Sequence, residues 1–217
     1  MKKIAVLGTG MVGQVISTKL IQLGYEVKMG SRTSNNEKAL AWVASNGNSA
    51  STGSFSQAAE YGEIIFNCTK GDVTLSILEQ AGKDHFNGKT LIDISNPLDF
   101  SKGMPPSLIP GLTNTNSLGE EIQKLLPGAH VVKTLNIVNC EVMVDPKKSG
   151  GDPTMFVCGN NADAKLEVKN ILNQFGWTDI IDLGDITTAR GTEMLLPIWL
   201  RTWMATGNGY FAFKIVR

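Results

Sequence analysis

Residues 4–13 read Ile4-Ala5-Val6-Leu7-Gly8-Thr9-Gly10-Met11-Val12-Gly13. A short β-rich run meets glycines at the spacing G-x-G-x-x-G. Apolar residues then recur at helical spacing at Val12, Val15, Ile16, Leu20 and Leu23, and the pattern stops at Gly24. Strand, glycine turn and helix in that order form the context that a dinucleotide-binding turn requires. Gly8 allows the tight turn, Gly10 lets the backbone approach a pyrophosphate, and Gly13 lets the helix pack close to the strand. The amides of Thr9 to Val12 are expected to face the phosphates, aided by the positive end of the helix dipole.

The second strand, Tyr25 to Met29, ends on Gly30-Ser31-Arg32. In many such units an Asp or Glu about 20 residues past the turn reads the adenosine ribose. A carboxylate there would also repel a 2′-phosphate. Here Gly30 is expected to leave room, Ser31 offers a hydroxyl and an amide, and Arg32 offers a planar cationic fork matched to phosphate. Thr33, Asn36 and Lys38 follow closely enough to assist. The motif favours NADP(H) over NAD(H).

Working outward, strands and helices alternate. Helices are expected at Asn35–Ala44, from the cap Ser54 to Glu60, and from the cap Asp72 to Gln80. Strands are expected at Ser49–Thr52, Ile64–Asn67 and Thr90–Ile94. Short connections between them predict parallel βαβ units and a Rossmann-type, doubly wound α/β sheet. Residues 96–116, rich in Pro, Gly, Ser and Asn, read as a long loop near the carboxyl ends of the strands, where such folds bind ligands. Ser117 caps a helix to Leu126, and Val131–Leu135 forms a strand. After the turn-rich stretch VDPKKSGGDP, a strand–helix–strand pattern and an apolar helix with a kink or a restart at Pro197 complete a small C-terminal α/β extension. Residues 1–150 are read as the NADP-binding domain and 151–217 as a smaller domain that closes the substrate cleft.

Composition narrows the function classes. Lys+Arg and Asp+Glu number 20 each in 217 residues, so no basic balance attracts nucleic acid. The apolar run after Lys3 is too short for a signal peptide, and Met194–Met204 carries Pro197 and Arg201, so neither is expected to meet a membrane. Cys68, Cys140 and Cys158 are widely spaced and show no metal-binding spacing; they read as reduced thiols. Neither His85 nor His130 has a catalytic partner at a suggestive spacing. The sequence reads as a cytoplasmic enzyme.

Beyond the turn, "VLGTGMVGQ" followed by "MGSR", and then "VVKTLNIVNCEVMVDP", "TMFVCGNNADAK", "DLGDITTARGTEMLLPIWLRTW" and "GYFAFKIV", resemble the coenzyme F420:NADP oxidoreductases across nearly the whole chain. The NADPH-binding domains of membrane metalloreductases are similar at greater distance, through "VVKAFN"-like and "AR-E" segments. The resemblance implies a Rossmann domain with a small C-terminal domain and a deazaflavin, or a flavin, as co-substrate against the nicotinamide. It implies phosphate contacts at Thr9 to Val12, a 2′-phosphate pocket at Ser31 and Arg32, and a loop over the cofactor at Thr69 and Lys70. That loop reads "TKGD" where the family often has a proline. The resemblance further implies nicotinamide contacts at Val138 and Cys140, and acceptor contacts at Phe211 and at Asn136, where some relatives carry a His.

Hydride transfer between two stacked rings needs orientation rather than a general base, which agrees with the lack of an acid–base constellation. No catalytic side chain and no metal is assigned. Asn96, Asn136 and Asn139 are either polar contacts beside the nicotinamide or turn and cap residues. Lys70 is either a phosphate or anion contact or a solvated surface charge. Asp93 is either catalytic or a partner for nearby backbone. Arg190 either meets an anionic acceptor or holds the two domains together. Trp199, Trp203, Tyr210, Phe211 and Phe213 read as packing and as a candidate homodimer contact. Three functions compete: NADPH:deazaflavin hydride transfer, reduction of another small substrate on the same scaffold, and non-catalytic NADP(H) sensing.

Overall fold

The computed structural model describes residues 2–217. Among them, a sheet of eight strands runs in the order β10-β9-β8-β5-β4-β1-β2-β3. The first half alternates strictly: β1 (Lys3–Leu7), α1 (Met11–Gln22), β2 (Glu26–Ser31), α2 (Glu37–Asn46), β3 (Ala50–Ser54), α3 (Phe55–Tyr61), β4 (Ile64–Asn67), α4 (Thr74–Ala81) and β5 (Thr90–Asp93). All pairings among these strands are parallel. The chain order reverses between β1 and β4, which is where a doubly wound sheet opens a crevice at the strands' carboxyl ends.

The side-chain period of 2 sets the two faces of the sheet. In β1, Ile4 and Val6 join one core while Ala5 and Leu7 join the other. In β4, Ile64 and Phe66 face the first core and Ile65 the second. Both faces are covered by helices, so β1 and β4 at the centre of the sheet read as apolar runs rather than as alternating ones. Trp42, Phe175 and Trp177 fill the first core; Phe55, Phe86 and Ile122 fill the second.

The long loop carries a small antiparallel hairpin, β6 (Leu98–Asp99) and β7 (Ser107–Leu108). It leads to α5 (Leu118–Leu125), capped by the Ser117 hydroxyl, and to β8 (His130–Thr134), parallel to β5. The next stretch departs from the expectation. A short helix, α6 (Cys140–Val144), lies between the expected strand and the turn-rich stretch, where no element was expected. The chain then enters β9 (Thr154–Cys158) antiparallel to β8. No crossover helix long enough to span the sheet separates these strands, so the chain returns from the end it left. A full crossover through α7 (Ala162–Phe175) restores a parallel pair between β9 and β10 (Asp179–Asp182). Residues 154–182 therefore extend the same sheet that begins at Lys3.

The apolar tail is two helices. α8 (Ala189–Met194) ends, and α9 (Leu196–Thr206) starts with Pro197 in its first turn, where a missing N–H costs nothing. The last residues run beside the start of β9: the Thr154 amide donates to the Phe213 carbonyl, and Lys214 pairs with Asp152 and Asp179. No helix among the described residues is long and apolar enough to cross a membrane.

Candidate active site

The glycine turn occupies the carboxyl end of β1. Gly8 has φ of 123°, and a Cβ there would sit 2.7 Å from the Cys68 carbonyl oxygen. Its amide donates to the Gly30 carbonyl at 3.0 Å. Gly10 is the N-cap of α1; no side chain caps the helix and its first turn carries no acid. A Cβ at Gly10 would meet nothing within 4 Å, whereas one at Gly13 would lie 2.2 Å from the Gly8 carbonyl oxygen. Gly13 is thus required by packing. Gly10 faces open space, a cradle that a side chain would fill, above helix amides with no internal partner. This is the geometry that a pyrophosphate fits.

At the end of β2, one expectation changes. Gly30 is buried, and a Cβ there would lie 2.8 Å from the Ala58 Cβ and 3.0 Å from Leu7 Cδ2. Its smallness serves the packing of α3 on the sheet and leaves no room for a phosphate. The cavity lies beyond it. About 570 Å³ is enclosed by the glycine turn with Ser31, Arg32, Thr33 and Asn36 at one end and Thr69 and Lys70 at the other. The Ser31 hydroxyl donates to the Thr33 carbonyl, and the Asn36 side chain caps α2 by accepting from the Ala39 amide at 3.1 Å. Arg32 is exposed at this end. Lys38 lines a different groove, between α1, α2 and α6. That groove is larger, about 790 Å³, but none of the glycine turn or strand-end residues lines it.

A second cavity of about 320 Å³ adjoins the first, and Cys68, Thr69 and Lys70 line both. Its walls are Val12, Ile94, Ser95, Asn96, Leu98 and Phe100, with Gly71 and Asp72. The loop after β4 is stiff. The Thr69 hydroxyl lies 2.7 Å from Asn67 Oδ1 and 2.7 Å from the Thr74 hydroxyl, and the latter donates to the Lys70 carbonyl. Gly71 presses on Asn96 so closely that a Cβ would lie 2.0 Å from its carbonyl oxygen. Asp72 does not cap α4; Val73 holds that position without a side-chain bond. Burial, assisted by the charge of Asp93, pushes the Cys68 thiol up, so it stands in this wall as a neutral thiol.

Comparisons with known proteins agree with this architecture. Residues 3–97 match the family described as NADP oxidoreductase, coenzyme F420-dependent. A solved structure from Arthrobacter sp. FB24, provisionally named an F420-dependent NADP reductase, is 48% identical, covers 100% of both chains and superposes with a TM-score of 0.95. The chain belongs to the coenzyme F420-dependent NADP oxidoreductases. The F420-dependent NADP reductase of Methanocaldococcus jannaschii is 29% identical over 143 residues, 65% of this chain and 62% of that protein. The metalloreductase STEAP3 of Rattus norvegicus is 27% identical over 222 residues, 99% of this chain and 42% of that protein. The chain therefore spans less than two thirds of either relative.

Other residues singled out in the sequence are distributed less evenly than this family resemblance implies. Asn96 lines the smaller cavity, and its side chain is locked: its Nδ2 donates to the Asn136 carbonyl at 2.8 Å and its Oδ1 accepts from Asn136 Nδ2 at 3.0 Å. Asn136 also donates to the Thr192 carbonyl and is buried behind the wall. Val138 and Cys140 are buried in the core against α1 and α6, and neither lines the two cavities; the Asn139 side chain caps α6. Phe211 stacks on Trp199 with ring centroids 5.3 Å apart, and its cluster packs on Leu98 of the cavity wall. Arg190 is committed elsewhere: its guanidinium donates to both Glu120 oxygens, at 2.8 and 2.5 Å, and holds α8 to α5.

Sequence reasoning missed the most unusual group in the structure. Lys133 on β8 is fully buried and paired with Asp93 and Glu193, each at 2.8 Å. Burial alone lowers its pKa, but the two carboxylates outweigh burial and hold the ammonium protonated. The available signal was a lysine amid the apolar run of a strand covered on both faces, a position that demands a buried partner.

Proposed function

We propose that this chain transfers a hydride between NADPH and a deazaflavin or flavin-like acceptor in the two joined cavities. The observation that carries this reading is the continuity of the cleft across the carboxyl ends of β1 and β4. Ser31 and the cationic Arg32 line one end, and an apolar wall of Val12, Ile94, Leu98 and Phe100 lines the other. In this reading Arg32 grips the 2′-phosphate as a fork and Ser31 accepts or relays a hydrogen bond there. The amides of Thr9, Met11 and Val12 hold the pyrophosphate at Gly8–Gly13. Thr69 and Lys70 border the dinucleotide, Asn96 fixes the nicotinamide end, and Asn136, Val138 and Cys140 support that wall from behind. Bound NADPH supplies a hydride from its dihydronicotinamide ring. The chain supplies orientation and an apolar enclosure, with a neutral Cys68 and no required base.

Residues 151–217 belong to the same proposal as the segment that closes the acceptor side, through the packing of Phe211 and its neighbours on Leu98. The exposed Ile198, Trp203 and Met204 are a candidate homodimer face. STEAP3 is named a metalloreductase, so ferric reduction is the second reading.

The test is oxidation of NADPH by purified protein with deazaflavin, FMN, FAD and a ferric chelate in parallel. Turnover with deazaflavin alone supports the first reading, and turnover with the chelate supports the second. Tight NADPH binding without any acceptor turning over would replace both with NADP(H) sensing. Sedimentation of the protein at micromolar concentration reads the homodimer.

A further inference from the structure

The buried charges behind Ser95 and Asn96 do not cancel. Lys133 uses its three N–H groups on Asp93 Oδ2 at 2.8 Å, Glu193 Oε1 at 2.8 Å and the Ser95 carbonyl at 2.6 Å. One ammonium faces two carboxylates. The remaining partners are dipoles rather than charges: Asn67 Nδ2 and the Ser95 hydroxyl and amide on Asp93, and the Leu118 and Gly119 amides on Glu193. Asp93, Lys133 and Glu193 are at most 1% exposed. The neighbouring Arg190–Glu120 pair is neutral as a pair.

We propose that this cluster, with one negative charge in excess, biases the cofactor couple in the adjoining cavity by favouring oxidised over reduced nicotinamide. The oxidised ring carries one more positive charge than the reduced ring, so a fixed negative field distinguishes the two. The proposal rests on the reading above that the nicotinamide end enters the cavity walled by Ser95 and Asn96. The cluster reaches that wall directly. Ser95 is bonded to both Asp93 and Lys133, and Asn67 connects Asp93 to the Thr69 hydroxyl, which lines both cavities. The field of Asp93 also contributes at Cys68 in the same wall, alongside burial. Lys70 and Asp72, the charged side chains on the cavity itself, are opposite in sign and exposed, where water and salt screen them. Buried charges act through a lower dielectric and keep more of their field.

The test compares dissociation constants for NADPH and NADP+, by calorimetry, in the wild type, in Glu193→Asp and in Glu193→Gln. Glu193→Asp perturbs the packing but keeps one net negative charge, and Glu193→Gln removes that excess charge while leaving the Lys133–Asp93 pair intact. Thermal unfolding establishes that each variant is folded. Glu193→Asp is expected to keep the NADP+/NADPH affinity ratio within about twofold. Glu193→Gln is expected to weaken NADP+ relative to NADPH by about 10-fold, which raises the bound couple by about 30 mV. Equal ratios in the two variants, or equal weakening of both cofactors, would show that the cluster is only a brace. Magnetisation transfer from nicotinamide protons to the Val12 and Ile94 methyls, measured in the wild type, separates the two failures. Its absence overturns the cavity assignment and the proposal together, while its presence with an unmoved ratio overturns the proposal alone.

Discussion

Gly10 and Gly13 look alike in the motif and do different work. A Cβ at Gly13 would lie 2.2 Å from a backbone oxygen, but one at Gly10 would meet nothing. Gly10→Val is therefore expected to abolish NADPH binding, read by fluorescence titration, with a melting temperature close to wild type. Gly13→Ala is expected to lower the melting temperature itself. If both variants melt like wild type and only binding changes, the packing role of Gly13 is wrong. Arg32→Ala tests the other end of the cleft: NADPH affinity is expected to fall about 10-fold or more, from losing a charge-assisted contact, with NADH affinity unchanged. Equal loss for both cofactors would assign Arg32 a different role. At this scale the tight turn at Gly8 and the close packing at Gly13 were legible because their constraints are local. Gly30 was misread because its constraint comes from Ala58, which lies far along the chain.

Elements were legible where one pattern ran its full length. Strands β1 and β4 declare themselves as apolar runs between helices, and the caps Ser54 and Ser117 sit where the structure uses them, whereas Asn36, read as an assistant of Arg32, caps α2. Asp72 looked like a cap, but the polar loop before α4 is fixed instead by Thr69, Thr74 and the contact of Gly71 with Asn96. The reversal of β9 could not be read, because direction depends on whether a crossover forms, and 19 residues of mixed turn and apolar sequence do not announce that. The carboxyl ends of β5 and β8 are joined by the reciprocal Asn96–Asn136 pair, and α8 joins them through the Thr192 carbonyl. Asn136→Ala removes both side-chain links and strands the Thr192 carbonyl in a buried place. A loss of about 1–3 kcal/mol in denaturant unfolding is expected, together with a larger fall in kcat than in NADPH affinity, since the phosphate end of the cleft is untouched. A variant as stable as wild type would show that water replaces the lost partners.

Across the whole molecule, acid is expected to be more damaging than base. Glu120 is held below its ordinary value of 4.5, first by its bonds to Arg190, then by Ser117, against the opposing effect of burial. Asp182 is also lowered: burial alone would raise it, but the Lys165 bond, the Gly184 amide and the charges of Lys165 and Lys169 together outweigh burial. A carboxylate whose folded pKa is depressed contributes stability that is present above its unfolded pKa and lost as the pH falls through the folded one. Lys133 has the opposite sign: its raised pKa contributes stability that persists below its ordinary 10.5 and fades only under still stronger alkali. Exposed pairs such as Lys214 with Asp152 contribute little by comparison. These pairs join residues as far apart as 70 positions in sequence, which is why no spacing revealed them. The melting temperature is therefore expected to hold level around neutrality and to fall below about pH 4.5, the ordinary glutamate value from which the depression of Glu120 starts. Calorimetry across that range checks it, with Glu120→Gln as the second arm. That variant should melt a few degrees lower at neutral pH and lose stability less steeply in acid, because its link to Arg190 no longer depends on a proton. An unaltered acid slope in Glu120→Gln would assign the acid sensitivity to the surface carboxylates instead.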